Sequence, residues 1–111
     1  MEVSRLSIEG PNRASLVDSL KKEFPDCYMY ISENVFIFTT QKFYLRTSSN
    51  LLSVIILDYK DRHRCNVEII SGGGGSGLLQ ITLDSESSSN NEIINVFEKI
   101  CGSYGWILQK R

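Results

Sequence analysis

The chain has 111 residues, the length of one typical domain, so a second folding unit is not expected. Leu, Ile, Val and Phe account for 34 of the residues. That share is well above the roughly 20% below which disorder is typical, and it is enough for one hydrophobic core. The net charge of −1 favours neither nucleic acid nor an anionic membrane as a partner.

The cysteines and the absence of long apolar runs predict a cytoplasmic protein. No stretch approaches the ~18 to 20 apolar residues of a membrane span, and the first ten residues lack the pattern of a signal peptide. Cys27, Cys65 and Cys101 are odd in number and widely spaced, which fits neither a disulfide framework nor a zinc site with its close ligand pairs. We expect reduced thiols, and neither a metal nor another cofactor.

The chain opens with a predicted strand and a predicted helix. The strand covers Val3 to Ile8, where apolar and polar residues loosely alternate. Asn12 is a suitable N-cap, and Pro25 ends the helix. The face predicted to be buried consists of Ala14, Val17, Leu20 and Phe24.

The middle of the chain reads as an antiparallel meander, because runs rich in β-branched and aromatic residues alternate with polar turn formers. The predicted strands are Cys27–Ile31, Val35–Thr40, Phe43–Thr47, Leu52–Tyr59, Cys65–Ile70 and Leu78–Leu83. A bulge at Gln41-Lys42 would join the second and third into one longer strand. Alternation from Cys65 to Ile69 predicts that one face of the sheet meets solvent.

A second helix is predicted near the end of the chain, capped by Ser89 or Asn90. Its apolar stripe consists of Ile93, Phe97, Ile100 and Tyr104. The tail Trp106 to Leu108 must dock on the body or meet another chain. Two helices on one face of an antiparallel sheet of five or six strands give a two-layer α+β domain with the order β-α-β-β-β-β-β-α.

The second half of the chain contains a pattern in which a strand ends in Ser-Gly-Gly before another strand and a final helix. With the strands before it, the pattern covers Phe43 to Arg46, Leu51 to Leu57, Glu68 to Gly73, Leu78 to Leu83 and Glu92 to Ile100. It resembles a bacterial family of small domains of unknown function, and the Ser-Gly-Gly strand end is its most specific feature. The resemblance implies the order of strands and helices, and it implies no reaction.

A glycine-rich segment is the first candidate site, because five of the eight glycines lie between Ser71 and Gly77. Successive backbone N–H groups there can form a nest for a small anion. The candidate ligand-binding residues are Ser71, Gly72, Gly73, Gly74, Gly75 and Ser76. The alternative is a flexible connection between two strands, because no phosphate-binding fingerprint is present and a strand-like run follows.

A group of aromatic residues is the second candidate site. Alternation places Tyr28 and Tyr30 on one face of their strand, where they either pack across the sheet or form a platform for a partner. Together with Trp106 they are the candidate interface residues.

The remaining constellations favour ordinary structural roles. The basic turn around Lys60 and Arg64 resembles a solvated turn more than a nucleic-acid site. Cys65 and His63 lack the other parts of a catalytic apparatus. We therefore expect no enzyme, but an interaction module that forms a homodimer or binds a protein partner. The alternative is a small-ligand or anion-binding domain that uses the glycine-rich segment.

Overall fold

Six antiparallel strands form one sheet, and two helices pack on one of its faces. The computed structural model describes residues 2–44, 49–74 and 83–111. The strands are β1 (Glu2–Glu9), β2 (Tyr28–Ser32), β3 (Val35–Tyr44), β4 (Ser49–Asp61), β5 (Arg64–Gly74) and β6 (Ile107–Lys110). The helices are α1 (Arg13–Glu23) and α2 (Leu83–Tyr104). The predicted α+β class, with its antiparallel sheet, is confirmed.

The strand order across the sheet is β2-β3-β4-β5-β1-β6. Tight turns connect β2 to β3 and β4 to β5, as the polar clusters in the sequence predicted. In the first turn Glu33 has a φ of +48°. In the second, the Asp61 side chain accepts a hydrogen bond of 2.7 Å from the His63 N–H. β1 then pairs with β5, and β6 pairs with β1.

Helix α1 begins and ends where the sequence predicted. The Asn12 Oδ1 accepts a hydrogen bond of 3.2 Å from the Ser15 N–H, as an N-cap does. The buried face is formed by Leu16, Val17 and Leu20. Ala14 was predicted on this face but is exposed, because Leu16 takes the inward position instead.

The core fills the space between the helices and one face of the sheet. The helices contribute Leu16, Val17, Leu20, Ile93, Ile94, Phe97, Ile100 and Cys101. The strands contribute Leu6, Ile8, Phe36, Phe38, Ile55, Leu57, Tyr59, Cys65, Val67 and Ile69. Three members of the predicted α2 stripe are thus confirmed, whereas Tyr104 is half exposed at the end of the helix.

The sequence-based predictions fail mostly near α2. This helix begins at Leu83, the residue at which a strand was predicted to end. Ser89 and Asn90 were predicted to cap it, but they lie inside the helix and are buried against the sheet. The rest of that predicted strand, 78–82, lies outside the described residues. The sixth strand is Ile107–Lys110, so most of the predicted tail pairs with β1.

The middle strands are longer than predicted. β3 pairs with β4 without a register shift from Val35 to Tyr44, so Gln41-Lys42 is not a bulge and Phe43 begins no new strand. A register shift does occur in the β4–β5 pairing, between Tyr59 and Asp61. β4 begins at Ser49, three residues before the predicted strand start at Leu52. Within the described ranges, no helix is long and apolar enough to cross a membrane.

Candidate functional site

The face of the sheet opposite the helices carries rows of apolar side chains. Partners in the strand register point to the same face, so each row is read directly from the pairing. One row joins Tyr28, Thr39, Val54, Ile70 and Val3 across five strands. This face was predicted to be solvated, and its centre is apolar.

A second row lies beside the first and changes from apolar to charged along its length. It joins Tyr30, Ile37, Ile56, Glu68 and Arg5. Leu52 lies on the same face, two residues before Val54 in β4. We define the open-face patch as Val3, Tyr28, Tyr30, Ile37, Leu52, Val54, Ile56 and Ile70.

The patch is accessible to solvent. The exposed fractions are 69% for Tyr28, 53% for Tyr30, 44% for Leu52 and 37% for Val3. The isoleucines and Val54 are half-buried because they lie between cross-strand neighbours. Scattered exposed apolar residues are ordinary, but a contiguous patch of this kind is typical of an interaction surface.

Charged side chains border the patch as pairs of opposite sign. Arg5 lies 3.7 Å from Glu68, and Arg64 lies 3.7 Å from Glu9. At the β4 end, the Lys60 ammonium lies 2.8 Å from the Asp58 carboxylate. Each exposed pair stabilises the fold little, but its two charges cancel.

The structure separates the three residues that were predicted to form an interface. Tyr28 and Tyr30 lie together on the open-face patch. Trp106 lies elsewhere: it is partly buried against the core and stacks on Tyr104 with ring centroids 4.4 Å apart. Its ring also lies over Gly10, which has a φ of +97° and where an added Cβ would approach the indole to 3.3 Å. Trp106 therefore docks the end of the chain onto the body.

The glycine-rich candidate site is mostly strand. Ser71, Gly72, Gly73 and Gly74 belong to β5 and pair with Ser53 to Asn50 of β4. The predicted loop location is wrong for these four residues, because the sheet continues through them. Gly75 and Ser76 lie outside the described residues. Ligand contact at this segment stays a prediction.

A buried network of polar side chains connects α2 to three strands. The Ser53 and Ser71 hydroxyl oxygens are 2.8 Å apart, and those of Ser53 and Ser89 are 3.2 Å apart. The Ser71 hydroxyl donates to the Asn90 Oδ1. The Asn90 Nδ2 lies 3.1 Å from the Ser4 hydroxyl and 3.3 Å from the carbonyl oxygens of Glu2 and Ile69. These bonds replace the capping role that was predicted for Ser89 and Asn90.

The Cys65–His63 pair does not form a nucleophilic site. Cys65 is fully buried on the core face, as alternation predicted, whereas His63 is exposed in the turn before β5. Burial raises the pKa of the Cys65 thiol to about 12, so the thiol is protonated at neutral pH. The described residues contain no group of three or more His, Cys, Asp or Glu side chains that could hold a metal ion.

Most of the open-face patch was not predicted from the sequence. Four of its six aliphatic members, Ile37, Val54, Ile56 and Ile70, each adjoin a buried residue in the same strand. The signal was available in the uninterrupted apolar runs Val54 to Leu57 and Ile69 to Ile70. A strand that is apolar at consecutive positions presents apolar side chains to both faces.

Comparison with protein-family models, curated proteins and solved structures finds no match to this chain. The resemblance to a bacterial family of unknown function stays a prediction.

Proposed function

We propose that the protein is a non-enzymatic interaction module that self-associates through the open-face patch. The observation that carries this proposal is the apolar row across five strands, which no described element of the chain covers. Burying such a surface against another apolar surface is the largest favourable term in protein association. Tyr28 and Tyr30 add aromatic groups of the type that is enriched at interfaces.

The size of the face suits a weak dimer. With strands about 4.8 Å apart and a two-residue repeat of about 6.8 Å, each residue of one face occupies about 33 Å², so the eight-residue patch covers about 260 Å² of flat sheet. The six charged residues of the bordering ion pairs extend this to about 460 Å². A stable interface of standard size buries about 800 Å² on each partner, and weak, transient contacts are smaller. Two sheets packed face to face at about 10 Å would form a sandwich of the kind found inside β-sandwich domains.

The charges on the face favour a second copy as the partner. A twofold axis brings each surface against itself, so a face with a strong charge of one sign would repel its copy. Here the described cations Arg5, Lys60 and Arg64 are each paired with an anion, as in Arg5–Glu68 and Arg64–Glu9. The apolar centre can therefore meet its own copy without like charges facing each other.

The proposal extends to the setting in which the protein acts. The free thiols Cys27, Cys65 and Cys101 suit a reducing compartment, and we place the protein in the cytoplasm. A bacterial source follows from the family resemblance. A protonated, buried Cys65 thiol supports a role without nucleophilic chemistry.

Sedimentation velocity across the micromolar range tests the self-association. The unmodified chain is expected to be a dimer at the upper concentrations. Ile56→Lys is expected to be a folded monomer, because it places two desolvated ammonium groups at the centre of the twofold contact. Circular dichroism checks that the variant is folded.

Ile31→Lys is the matched control. Ile31 is 51% exposed on β2 but pairs with Phe36, so its side chain lies on the helix side of the sheet. This variant is expected to remain a dimer. A monomer at all concentrations of the unmodified chain would refute self-association. Loss of the dimer in Ile31→Lys but not in Ile56→Lys would place the contact at the β2 edge and refute the face-to-face arrangement.

A further inference from the structure

A cavity of about 240 Å³ lies between α2 and the β3–β4 part of the sheet, on the side away from the open-face patch. One part of its wall is apolar and is formed by Phe24, Ile93 and Val96. The other part carries the hydroxyl groups of Ser53 and Ser89, whose residues are only 2% and 4% exposed. Two nearly buried hydroxyl groups at the edge of a cavity are candidates to bind a ligand.

The buried network fixes the direction of these hydroxyl protons. The Asn90 Nδ2 faces the carbonyl oxygens of Glu2 and Ile69, which can only accept, so the amide orientation is determined. The Asn90 Oδ1 must then accept the proton of Ser71. Ser71 has no second proton and therefore accepts from Ser53 across 2.8 Å.

The same reasoning continues to the cavity. Because the Ser53 proton is directed to Ser71, Ser53 must accept the proton of Ser89 across their 3.2 Å contact. All three serine protons therefore point along the network toward Asn90. The two hydroxyls at the cavity have only lone pairs to offer a ligand. A ligand that binds here must donate hydrogen bonds.

The described lining residues agree with this polarity. Among them no side chain is cationic. An anionic ligand would face the lone pairs of the two hydroxyls, whereas an ammonium group would find acceptors there. The available volume exceeds the roughly 150 Å³ of an engineered cavity that holds benzene, so one ring with a short arm fits.

We propose that this cavity binds a small primary amine with a compact apolar body, its ammonium group donating to Ser89 and Ser53 and its body packing against Phe24, Ile93 and Val96. This site is separate from the open-face patch, and its occupancy does not depend on the association state. The proposal therefore stands or fails independently of the self-association.

Three probes of similar shape and different polarity test the proposal on the full chain. Benzylamine, toluene and benzoate are titrated into the protein while backbone NMR shifts are recorded. Benzylamine is expected to saturate and to move the signals of Ser53, Ser89 and Ile93, with at least tenfold higher affinity than toluene. Benzoate is expected not to bind.

Variants then locate the ammonium group. Ser89→Ala removes one of its two acceptors and is expected to weaken benzylamine binding about tenfold while leaving toluene binding unchanged. Ser103→Ala makes the same change at an exposed position of the same helix and is expected to have no effect. If Ser89→Ala does not fold, Val96→Phe fills the apolar part of the cavity and is expected to abolish binding.

Several results would overturn the proposal. Equal binding of toluene would show an apolar cavity without selectivity for amines. Binding of benzoate would show the opposite polarity. The absence of saturable benzylamine binding, shifts confined to other parts of the protein, or unchanged benzylamine binding in Ser89→Ala or Val96→Phe would each refute the site.

Discussion

The two faces of the sheet differ less in composition than in what covers them. Ile55 and Ile56 are neighbours in β4, and Ile69 and Ile70 are neighbours in β5. The first of each pair is fully buried under the helices, and the second lies on the open face. An isoleucine therefore occurs at equivalent positions on both faces, but within the described residues helices cover only one of them. This difference is the reason for our proposal that another molecule covers the open face.

The edges of the two faces show how the open one stays compatible with water. On the covered face, the two helices bury the apolar side chains of the strands in one cluster. The open face is instead bordered by exposed ion pairs such as Lys60–Asp58. Such pairs contribute little stability, but they place hydrated groups beside the apolar centre, on the side toward the β4–β5 turn. Polar groups beside an apolar centre are also found in protein interfaces.

Separate truncations of Ile55 and Ile56 test most directly whether the two faces of the sheet differ in packing. Ile55→Ala is expected to lower the free energy of unfolding by about 3 kcal/mol, because it removes three carbons from a closely packed core. Ile56→Ala is expected to lower it by about 1 kcal/mol, because its side chain already meets water. Urea denaturation, at a concentration where the chain is monomeric, measures both.

The dimer affinity of the same two variants is expected to change in the opposite order to their stability. Ile56→Ala is expected to weaken the dimer, and Ile55→Ala is expected to leave its affinity unchanged under conditions where the variant is folded. Equal losses of stability in the two variants would show that the open face is packed as tightly as the core, and would contradict the difference between the two faces.

The next effect concerns the polar network on the covered face. Asn90→Ala removes the partner of the Ser71 hydroxyl and of the carbonyl oxygens of Glu2 and Ile69. Because the buried Ser71 hydroxyl loses its acceptor and the two carbonyl oxygens lose a donor, a loss of about 2 kcal/mol is expected in urea denaturation. Asn91→Ala changes an exposed neighbour and is expected to stay within about 0.5 kcal/mol. A smaller loss for Asn90 than for Asn91 would contradict the structural role of the network.

The sequence predicted those features that depend on local patterns. The cap at Asn12, the end of α1 before Pro25 and the two tight turns follow from residues within a few positions of one another. The alternation from Cys65 to Ile69 correctly assigned the core face of β5. These signals are local because they reflect hydrogen bonds and side-chain periodicity along one segment.

The failures involve partners distant in sequence. Ser89 and Asn90 look like cap residues, but their bonds reach β4 and β5, which no local pattern reveals. The contact between the Trp106 ring and Gly10, at the other end of the chain, was likewise not predicted, and the interface role of Trp106 stays a prediction. Ser71 to Gly74 looked like a loop, because glycine weakens strand propensity, yet pairing with β4 overrides that preference.

The smallest expected effect is a dependence of the free energy of unfolding on pH, caused by two thiols on the covered face. Burial raises the pKa of Cys101 to about 11 and that of Cys65 to about 12 from an ordinary value of 9.0. At a pH between the ordinary pKa of 9.0 and the raised pKa of each thiol, the unfolded chain loses thiol protons that the folded chain keeps. The unfolded state then binds fewer protons, so the free energy of unfolding falls as the pH rises above about 9. Each thiol is expected to contribute a loss of about 1 kcal/mol between pH 8 and pH 9.5.

The variant Cys101→Ala separates the contribution of the Cys101 thiol from that of other groups that titrate between pH 8 and pH 9.5. The variant is less stable at every pH because it loses a buried side chain, but its stability is expected to fall by about 1 kcal/mol less between pH 8 and pH 9.5. Ile94→Val, which shortens a buried side chain of the same helix without removing a titratable group, is expected to keep the original slope. An unchanged slope in Cys101→Ala would mean that the thiol exchanges protons with solvent in the folded state. The covered face would then be more open than the contrast with the open-face patch requires.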